Sequence, residues 1–456
     1  MDTASKVKRR IRVFIDGENY FFLTARTDES ELHNKTTDTF FNSLTITSPS
    51  APVDLASRKA EKITHDLQSA DTLVRKKALG AIKYYNFRPN ELHYLYDVLN
   101  VNFPDDTDYD GVRISILEKL KSLGNDTTQR FLTKLYSGLT GKDEIKAAIL
   151  SCLPTMNHNT GYDVYFNLLK TDPPLKATRN YSIFYPLIDS VEYAEQHFAD
   201  LVPFIKHDAY RPYVLRIAAN ILESKKTMNS RQVINSYSAL TVNIQSDLES
   251  YLKLKDSDDN DYAGNIGAYL RLMKCIKNVS VSDRFTSRYL QQDPKGVYVS
   301  DAIIARIYNG LPNKPALIKR LMDSIDVRFY LMKACYENKQ IAMIPEVYRK
   351  QANFAKLCLY KYVSEGDEAD DEGSPTNMQI LGNLSEKDYT YYAFKFSLGT
   401  DEDSKTYVGI AGPYKKGSVE LNFDSYHAYS GYDELKTDWR AQAQRLIKPL
   451  TNAKSQ

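Results

Sequence analysis

A recurring apolar pattern is the feature that most restricts how this chain can fold. It begins at residues 74, 112 and 145, so successive copies lie 38 and 33 residues apart. Each copy has an aliphatic residue, then a cation (Arg75, Arg113 or Lys146), and a leucine five positions after the first residue. On a helix this spacing predicts an apolar stripe with one charge beside it.

A second apolar segment follows each copy after a short break. The three segments read PNELHYLYDVLN, TTQRFLTKLYSGL and GYDVYFNLLK, and each is typical of a second helix. One helix pair cannot bury its own apolar faces, so neighbouring pairs are expected to stack. Over residues 56–225 this pattern resembles HEAT-like or armadillo-like repeats. The resemblance implies an α-solenoid that acts as a binding scaffold.

Changes in composition divide the chain into four zones. Residues 1–48 are predicted to form a β-hairpin and a short helix, which could also be the remnant of a larger α+β domain. Residues 53–362 are predicted to form the helical array, although the motif is lost after residue 225. Residues 363–375 read as an acidic linker, and residues 376–456 as a small β-sheet with a C-terminal helix. The predicted fold class is mainly α: a solenoid of antiparallel helix pairs with small α+β elements at both termini.

The stretch RRIRVFIDGENYFFLTA predicts a hairpin with a turn at Asp16-Gly17. Apolar residues alternate in both halves of the stretch, so each strand should have one apolar face. We expect these two faces to coincide, with Ile15 buried against Leu23. A helix near residues 37–44 should cover the sheet with its apolar side chains, which are Phe40, Phe41 and Leu44.

The same stretch supports an alternative. IRVFIDGEN resembles the first strand of NYN and other PIN-like nucleases, where an aspartate and a nearby asparagine help to hold a catalytic divalent ion. The resemblance implies a metal-dependent hydrolase centred on Asp16. Such a fold needs further acidic residues at the ends of parallel strands, whereas the text that follows predicts helices. The turn is therefore the favoured interpretation of Asp16. An enzyme whose catalytic domain lies upstream of this chain is the other form of this alternative.

An acidic loop precedes the second copy of the recurring motif. Asp106, Asp108 and Asp110, followed by Gly111, match the first six positions of an EF-hand calcium loop. The twelfth position should be a bidentate glutamate but is Leu117. Acidic residues before a helix are already explained by capping and by the helix dipole. Calcium binding is left open, and a structural role is favoured.

The C-terminal zone contains three predicted strands: 389–398, 406–414 and 418–423. The closing helix should cover the sheet with a stripe made of Leu435, Trp439, Ala443 and Leu446. Gly409, Gly412 and Pro413 would let another chain approach the backbone closely, as in a ligand- or peptide-binding module. The alternative, which we favour, is a cap that seals the last apolar face of the helical array.

Charge and composition bound the partners and the compartment. A net charge of +2 offers no strong field for nucleic acid, so no nucleic-acid partner is expected. The four cysteines lie far apart among apolar residues and predict free buried thiols. No apolar run is long enough for a transmembrane segment, and no signal peptide is visible. The expected compartment is cytoplasmic, or the bacterial envelope if the chain comes from a longer exported parent.

The sequence therefore predicts a non-enzymatic scaffold that engages a protein or peptide partner. It predicts no catalytic, cofactor-binding or metal-binding residue and implies no cofactor. It predicts nothing about the oligomeric state.

Overall fold

The computed structural model describes thirteen stretches of the chain: residues 7–16, 19–45, 57–106, 111–156, 158–224, 230–257, 260, 262–365, 373–399, 404–417, 419, 421–423 and 430–452. The protein is mainly helical, with a small antiparallel sheet towards each end. This coarse fold class agrees with the sequence prediction. The chain divides into two compact units, Met1–Leu123 and Gly124–Gln456. The predicted domain limits stay predictions.

The first unit contains one hairpin and a set of short helices. Its strands are β1 (Val7–Asp16) and β2 (Asn19–Asp28). Its helices are α1 (Lys35–Ser43), α2 (Ala60–Leu67), α3 (Thr72–Tyr84), α4 (Leu92–Leu99) and α5 (Val112–Leu123), with 3-10 turns at Glu29–Glu31 and Pro89–Glu91. α2 packs on α3 and α4, and α5 packs on α3 and α4.

The hairpin forms as predicted, but its faces are not the predicted ones. β1 and β2 pair antiparallel, with Asp16 opposite Asn19 and Ile15 opposite Tyr20. Of the predicted turn residues, Asp16 is the last residue of β1, and Gly17 lies outside the described residues. Because two residues connect the strands, odd-numbered residues of β1 share a face with even-numbered residues of β2. The expected contact of Ile15 with Leu23 is therefore wrong, since the two lie on opposite faces.

Helix α1 covers only one face of the hairpin. Phe41 is buried there, and the Arg10 guanidinium lies 4.6 Å from the centre of its ring. Arg10 also donates to the Leu32 carbonyl at 2.9 Å. Phe40 and Leu44, which we expected to help cover the sheet, are 46% and 41% exposed. The helix turns these two side chains towards solvent, so Phe41 alone fills the expected role.

The second unit contains the remaining helices and a four-stranded sheet. Its first helices are α6 (Asp126–Gly138), α7 (Asp143–Met156), α8 (His158–Thr171), α9 (Asn180–Asp189), α10 (Val191–Gln196), α11 (Phe198–Leu201), α12 (Arg211–Glu223), α13 (Arg231–Asn235), α14 (Tyr237–Leu240), α15 (Ile244–Leu254) and α16 (Ala263–Cys275). They continue with α17 (Val279–Gln292), α18 (Val299–Tyr308), α19 (Pro315–Asp323), α20 (Ile325–Glu337), α21 (Glu346–Arg349), α22 (Gln351–Ser364) and α23 (Trp439–Asn452). There are also 3-10 turns at Val202–Lys206 and Ile341–Met343.

One series of helices in this unit makes successive contacts. α7 packs on α9, α9 on α12, α12 on α16, α16 on α18, α18 on α20 and α20 on α22. The intervening helices pack beside this series; α8 lies on α7, α15 on α16, and α17 on α18. A polar groove described below lies along the series.

Two of the three cations of the recurring motif, Arg113 and Lys146, turn inward instead of lying beside the apolar stripe, whereas Arg75 stays half-buried and donates to the Ser69 carbonyl at 3.0 Å. Arg113 in α5 is 1% exposed, and its Nε and Nη2 donate to both carboxylate oxygens of Asp106 at 2.8 and 2.5 Å. Lys146 in α7 is 5% exposed and reaches Asp172 at 2.5 Å. Each buried cation is thus neutralised by an acid outside its own helix, which is what such burial requires.

The C-terminal sheet is built from β3 (Thr376–Glu386), β4 (Tyr389–Leu398), β5 (Lys405–Lys415) and β6 (Ser430–Glu434), in that order across the sheet. The prediction for 389–398 is confirmed at both ends. The predicted strand at 418–423 is wrong for its described residues, because Val419 and residues 421–423 lie outside any strand. Phe423 instead inserts its ring between α20 and α22, against Phe329 and Phe354.

Helices cover both faces of this sheet. On one face, Phe394 and Phe396 share an apolar core with Leu359 and Cys358 of α22. On the other face, Ala443 and Ile447 of α23 pack with Tyr391, Ala393 and Ile410. Trp439 and Leu446 join that cluster as predicted, but Leu435 precedes the helix. The free cysteines agree with the sequence: Cys152, Cys335 and Cys358 are buried and Cys275 is half-buried.

Candidate binding groove

A groove of about 780 Å³ lies between α9, α12 and α16 and falls within the size range of ligand sites. Tyr213 and Arg216 line it from α12, and Gly264, Gly267 and Arg271 line it from α16. The α16 residues recur every three or four positions, so they share one face of that helix. The groove is thus formed by matching faces of two adjacent helices.

Gly264 leaves the groove open without any packing reason for a glycine. A Cβ atom built there would meet only the Pro212 Cβ, at 3.8 Å, which is an ordinary contact. Gly264 is the second residue of α16, so it does not carry the full cost of about 1 kcal/mol that a glycine has in a helix interior. By contrast, a Cβ at Gly267 would lie 3.1 Å from Tyr298 Cε1, so packing explains that glycine. At Gly264, what the glycine preserves is empty space in the groove.

Arg271 is held firmly at one end of the groove. Its Nη2 donates to Asn220 Oδ1 at 2.8 Å and to Glu223 Oε2 at 2.5 Å, and its Nε donates to the same carboxylate at 3.1 Å. Arg216 is exposed on the same helix as Asn220 and Glu223. One end of the groove therefore carries a fixed cation beside a solvent-exposed one.

A buried hydrogen-bond network joins two of the helices that line the groove, α12 and α16. Arg211 Nη1 donates to Asp247 Oδ1 at 2.8 Å, and Asp247 Oδ2 accepts from Tyr269 at 2.8 Å and from Asn265 Nδ2 at 3.0 Å. All four side chains are almost completely buried. Burial raises the pKa of Asp247, against the opposing effects of the Tyr269 hydroxyl and Arg211. The network ties α12, α15 and α16 together, which fixes the groove walls.

Two amide oxygens at the groove have no hydrogen-bond donor among the described residues. They are Oδ1 of Asn180 at the start of α9 and Oδ1 of Asn265 in α16, and both are shielded from solvent. An unsatisfied buried acceptor costs about 1–3 kcal/mol. A hydrogen bond donated to either oxygen by a ligand would therefore be stabilising.

The ring of Tyr213 lines the groove, and the rings of Tyr181 and Tyr185 on α9 continue from it outside the groove lining. Tyr213 stacks on Phe184 with ring centres 5.4 Å apart, and its centre lies 6.3 Å from that of Tyr181. Tyr181 and Tyr185 are 45% and 48% exposed. Half-exposed tyrosines offer an apolar face and a hydroxyl together, and they are enriched in binding interfaces.

A smaller hollow of about 250 Å³ continues from the groove towards α18 and α20. Arg271 lines both spaces, and Lys274, Asp301 and Lys333 add charge to the second. A larger hollow, of about 1080 Å³, lies between α17, α18 and α19. Its buried cation, Arg306, is already bound by Asp283 and by the Pro312 carbonyl, so it serves the fold.

The residues that the sequence offered for metal chemistry do not come together. Asp16 lies in a two-stranded antiparallel sheet, not in the parallel sheet that the nuclease resemblance implies. Both oxygens of Asp106 are bound by Arg113, while Asp108 and Asp110 lie outside the described residues. In the described stretches, no group of three or more His, Cys, Asp or Glu side chains could hold a metal ion.

We expected another chain to approach the backbone at Gly409, but α22 of this protein already fills the space there. A Cβ there would lie 2.7 Å from Leu359 Cδ2 and 2.8 Å from Phe396 Cε1, so the glycine admits α22 onto β5. Gly412 has a φ of 141°, and a Cβ there would lie 3.0 Å from the Thr390 carbonyl oxygen. Pro413 follows it in the same strand, where the pairing of β4 and β5 shifts register.

Comparison with known proteins adds little to this geometry. No protein-family model matches the chain, and the comparison with curated proteins found no match. A crystal structure of an engineered protein aligns with 62% of this chain and 99% of its own, at 14% identity and a TM-score of 0.26. A similarity at that level carries no argument about fold or function. No helix within the described stretches is long and apolar enough to cross a membrane.

Proposed function

We propose that this protein is a non-enzymatic scaffold and that its helices form a HEAT-like α-solenoid. In this proposal, the groove between α9, α12 and α16 binds an extended peptide segment of a protein partner. The open floor at Gly264 carries the proposal, because a side chain there would enter a groove of about 780 Å³ and would meet only the Pro212 Cβ, at 3.8 Å.

The chemistry of the walls suits a peptide main chain. An extended peptide presents N–H donors at regular intervals, and the amide oxygens of Asn180 and Asn265 lack donors. The ring of Tyr213, which lines the groove, and the exposed ring of Tyr181 beside it would pack against peptide side chains. Arg271 lines both the groove and the smaller hollow beside α18 and α20, so a longer peptide segment would continue from the groove into that hollow.

A peptide selection with a groove-filling variant tests this function. The full chain would be immobilised and used to select binders from a phage library of random peptides, and the enriched peptides would be synthesised. Fluorescence anisotropy would then compare the wild type with Gly264→Leu. Leucine at this position projects into the groove, so we expect at least about a tenfold loss of affinity, or about 1.4 kcal/mol.

Gly80→Leu is the matched control. Gly80 also lies within a helix, α3, and a Cβ built there would meet no atom within 4 Å. This variant should bind the selected peptides as the wild type does. Failure to enrich any peptide, or equal binding by Gly264→Leu and the wild type, would reject the groove as the binding site.

A further inference from the structure

The hollow between α17, α18 and α19 is formed by one face of each helix. Its lining residues include Ser287 and Leu290 in α17, Ile303 and Arg306 in α18, and Leu317 and Arg320 in α19. The members of each pair are three positions apart, so they share a face of their helix. At about 1080 Å³ the hollow is close to the upper end of the size range of ligand sites.

The walls of this hollow are mostly apolar. Ile303 is 1% exposed, and Leu290 and Leu317 are half-buried. Three prolines, at positions 294, 312 and 315, also line the space, and proline offers ring carbons without a backbone N–H. Walls of this kind suit a ligand with an apolar body.

The charged side chains that line the hollow are all cations. They are Arg306, Lys314 and Arg320, and no aspartate or glutamate is among the lining residues. Asp283 pairs with Arg306 at 2.8 Å. Lys314 and Arg320 are exposed, and within the described stretches neither forms an ion pair with an acid. Two positive charges therefore stand beside an apolar hollow without a counter-charge from the protein.

The N-terminus of α19 adds a second attraction for an anion. Lys314 is the N-cap residue, no side chain caps the helix, and the N–H of Ala316 has no acceptor among the described residues. The helix dipole favours negative charge at this end. Arg320 lies in the last turn of the nine-residue helix, where the dipole already favours a cation. An anionic group is therefore best placed beside Lys314.

We propose that this hollow binds a single-chain amphipathic anion. Its alkyl chain lies along Leu290, Ile303 and Leu317, and its carboxylate or phosphate group lies beside Lys314. A purely apolar ligand would leave both cations without a counter-charge, and a small inorganic anion would leave the apolar walls in water. The site is separate from the peptide groove, since no residue lines both.

Isothermal titration calorimetry of the full chain tests the proposal with decanoate, decyl phosphate and decanol. At least one of the two anions should bind saturably at one site per chain, and the tighter of them identifies the head group. Decanol has the same chain without the charge and should bind at least about tenfold more weakly. Hexanoate, with a shorter chain, should also bind at least about tenfold more weakly than decanoate, because less apolar surface is buried.

Reversal of one charge tests the position of the head group. Lys314→Glu should weaken binding of the anion at least about tenfold and leave binding of decanol nearly unchanged. Lys319→Glu is the matched control, because Lys319 is exposed on the same helix and does not line the hollow. This control carries the same change in net charge and should bind the anion as the wild type does.

A bulky side chain tests the position of the alkyl chain. Gln291 is exposed on α17 and lines the hollow, so Gln291→Trp should fill part of it and weaken both decanoate and decanol. Gln292→Trp is the matched control, since Gln292 is exposed on the same helix outside the lining. Circular dichroism would show that all four variants keep the wild-type melting temperature.

Three results would overturn the proposal. The first is no saturable binding of either anion below about 1 mM. The second is decanol that binds as tightly as the anions, because the cations would then contribute nothing. The third is equal weakening by each variant and its control, which would place the ligand elsewhere on the chain.

Discussion

The two sheets of this protein differ in how many of their faces are covered. The C-terminal sheet has α22 on one face and α23 on the other, and the side chains between them are almost fully buried. The N-terminal hairpin has α1 on one face and six apolar side chains about half exposed on the other. Both are antiparallel with alternating apolar residues, so the coverage of their faces, not their strand pattern, distinguishes the two sheets.

The largest expected effect lies under α22. Phe396→Ala removes a fully buried ring from the core that the sheet shares with α22. A cavity of this kind should lower the free energy of unfolding by about 3–5 kcal/mol. Urea denaturation followed by circular dichroism would measure it. A loss below about 1 kcal/mol, typical of surface positions, would show that α22 does not cover this face tightly.

A smaller effect is expected where α22 touches the backbone of β5. Gly409→Ala places a Cβ 2.7 Å from Leu359 Cδ2, so either the helix or the ring of Phe396 must move. Overpacking of this kind should cost about 1–3 kcal/mol. Gly431→Ala in β6 is the matched control, because its Cβ would meet nothing within 4 Å. Equal melting temperatures for the two variants would contradict the close approach of α22.

The smallest effect is expected on the face of the hairpin that α1 does not cover. Phe22 is 56% exposed, so Phe22→Ala should change the free energy of unfolding by less than about 1 kcal/mol. The measurement is a urea melt followed by circular dichroism. A loss comparable to that of Phe396→Ala would mean that the chain itself buries this ring, and the contrast between the two sheets would fail.

The hairpin shows which part of a sheet can be predicted from sequence. The period of two correctly identified both strands, because alternation depends only on the residues of each strand. Which faces coincide depends on the parity of the connection, and a shift of one residue exchanges the faces. The prediction that Ile15 meets Leu23 required an odd number of residues between the two strands. The two-residue connection between Asp16 and Asn19 gives the other pairing.

The groove, in contrast to the strands, could not be predicted from the sequence. Its residues come from three helices that are distant in the sequence, and no local motif joins Asn180, Gly264 and Arg271. The one available signal was a pair of glycines at helical spacing, Gly264 and Gly267, within a predicted helix. The buried cations Arg113 and Lys146 were found by pattern but given the wrong environment, because their counter-charges lie outside the repeating motif.

The Arg211–Asp247 pair constrains how this protein can change in evolution. The two charges lie on α12 and α15, separated by 36 positions, and both side chains are buried. A crossover between positions 211 and 247 that replaced one partner and kept the other would leave one charge unpaired in the interior, at a cost of about 3–5 kcal/mol. We therefore expect crossovers within this interval to be disfavoured, so that α12 to α15 are inherited together.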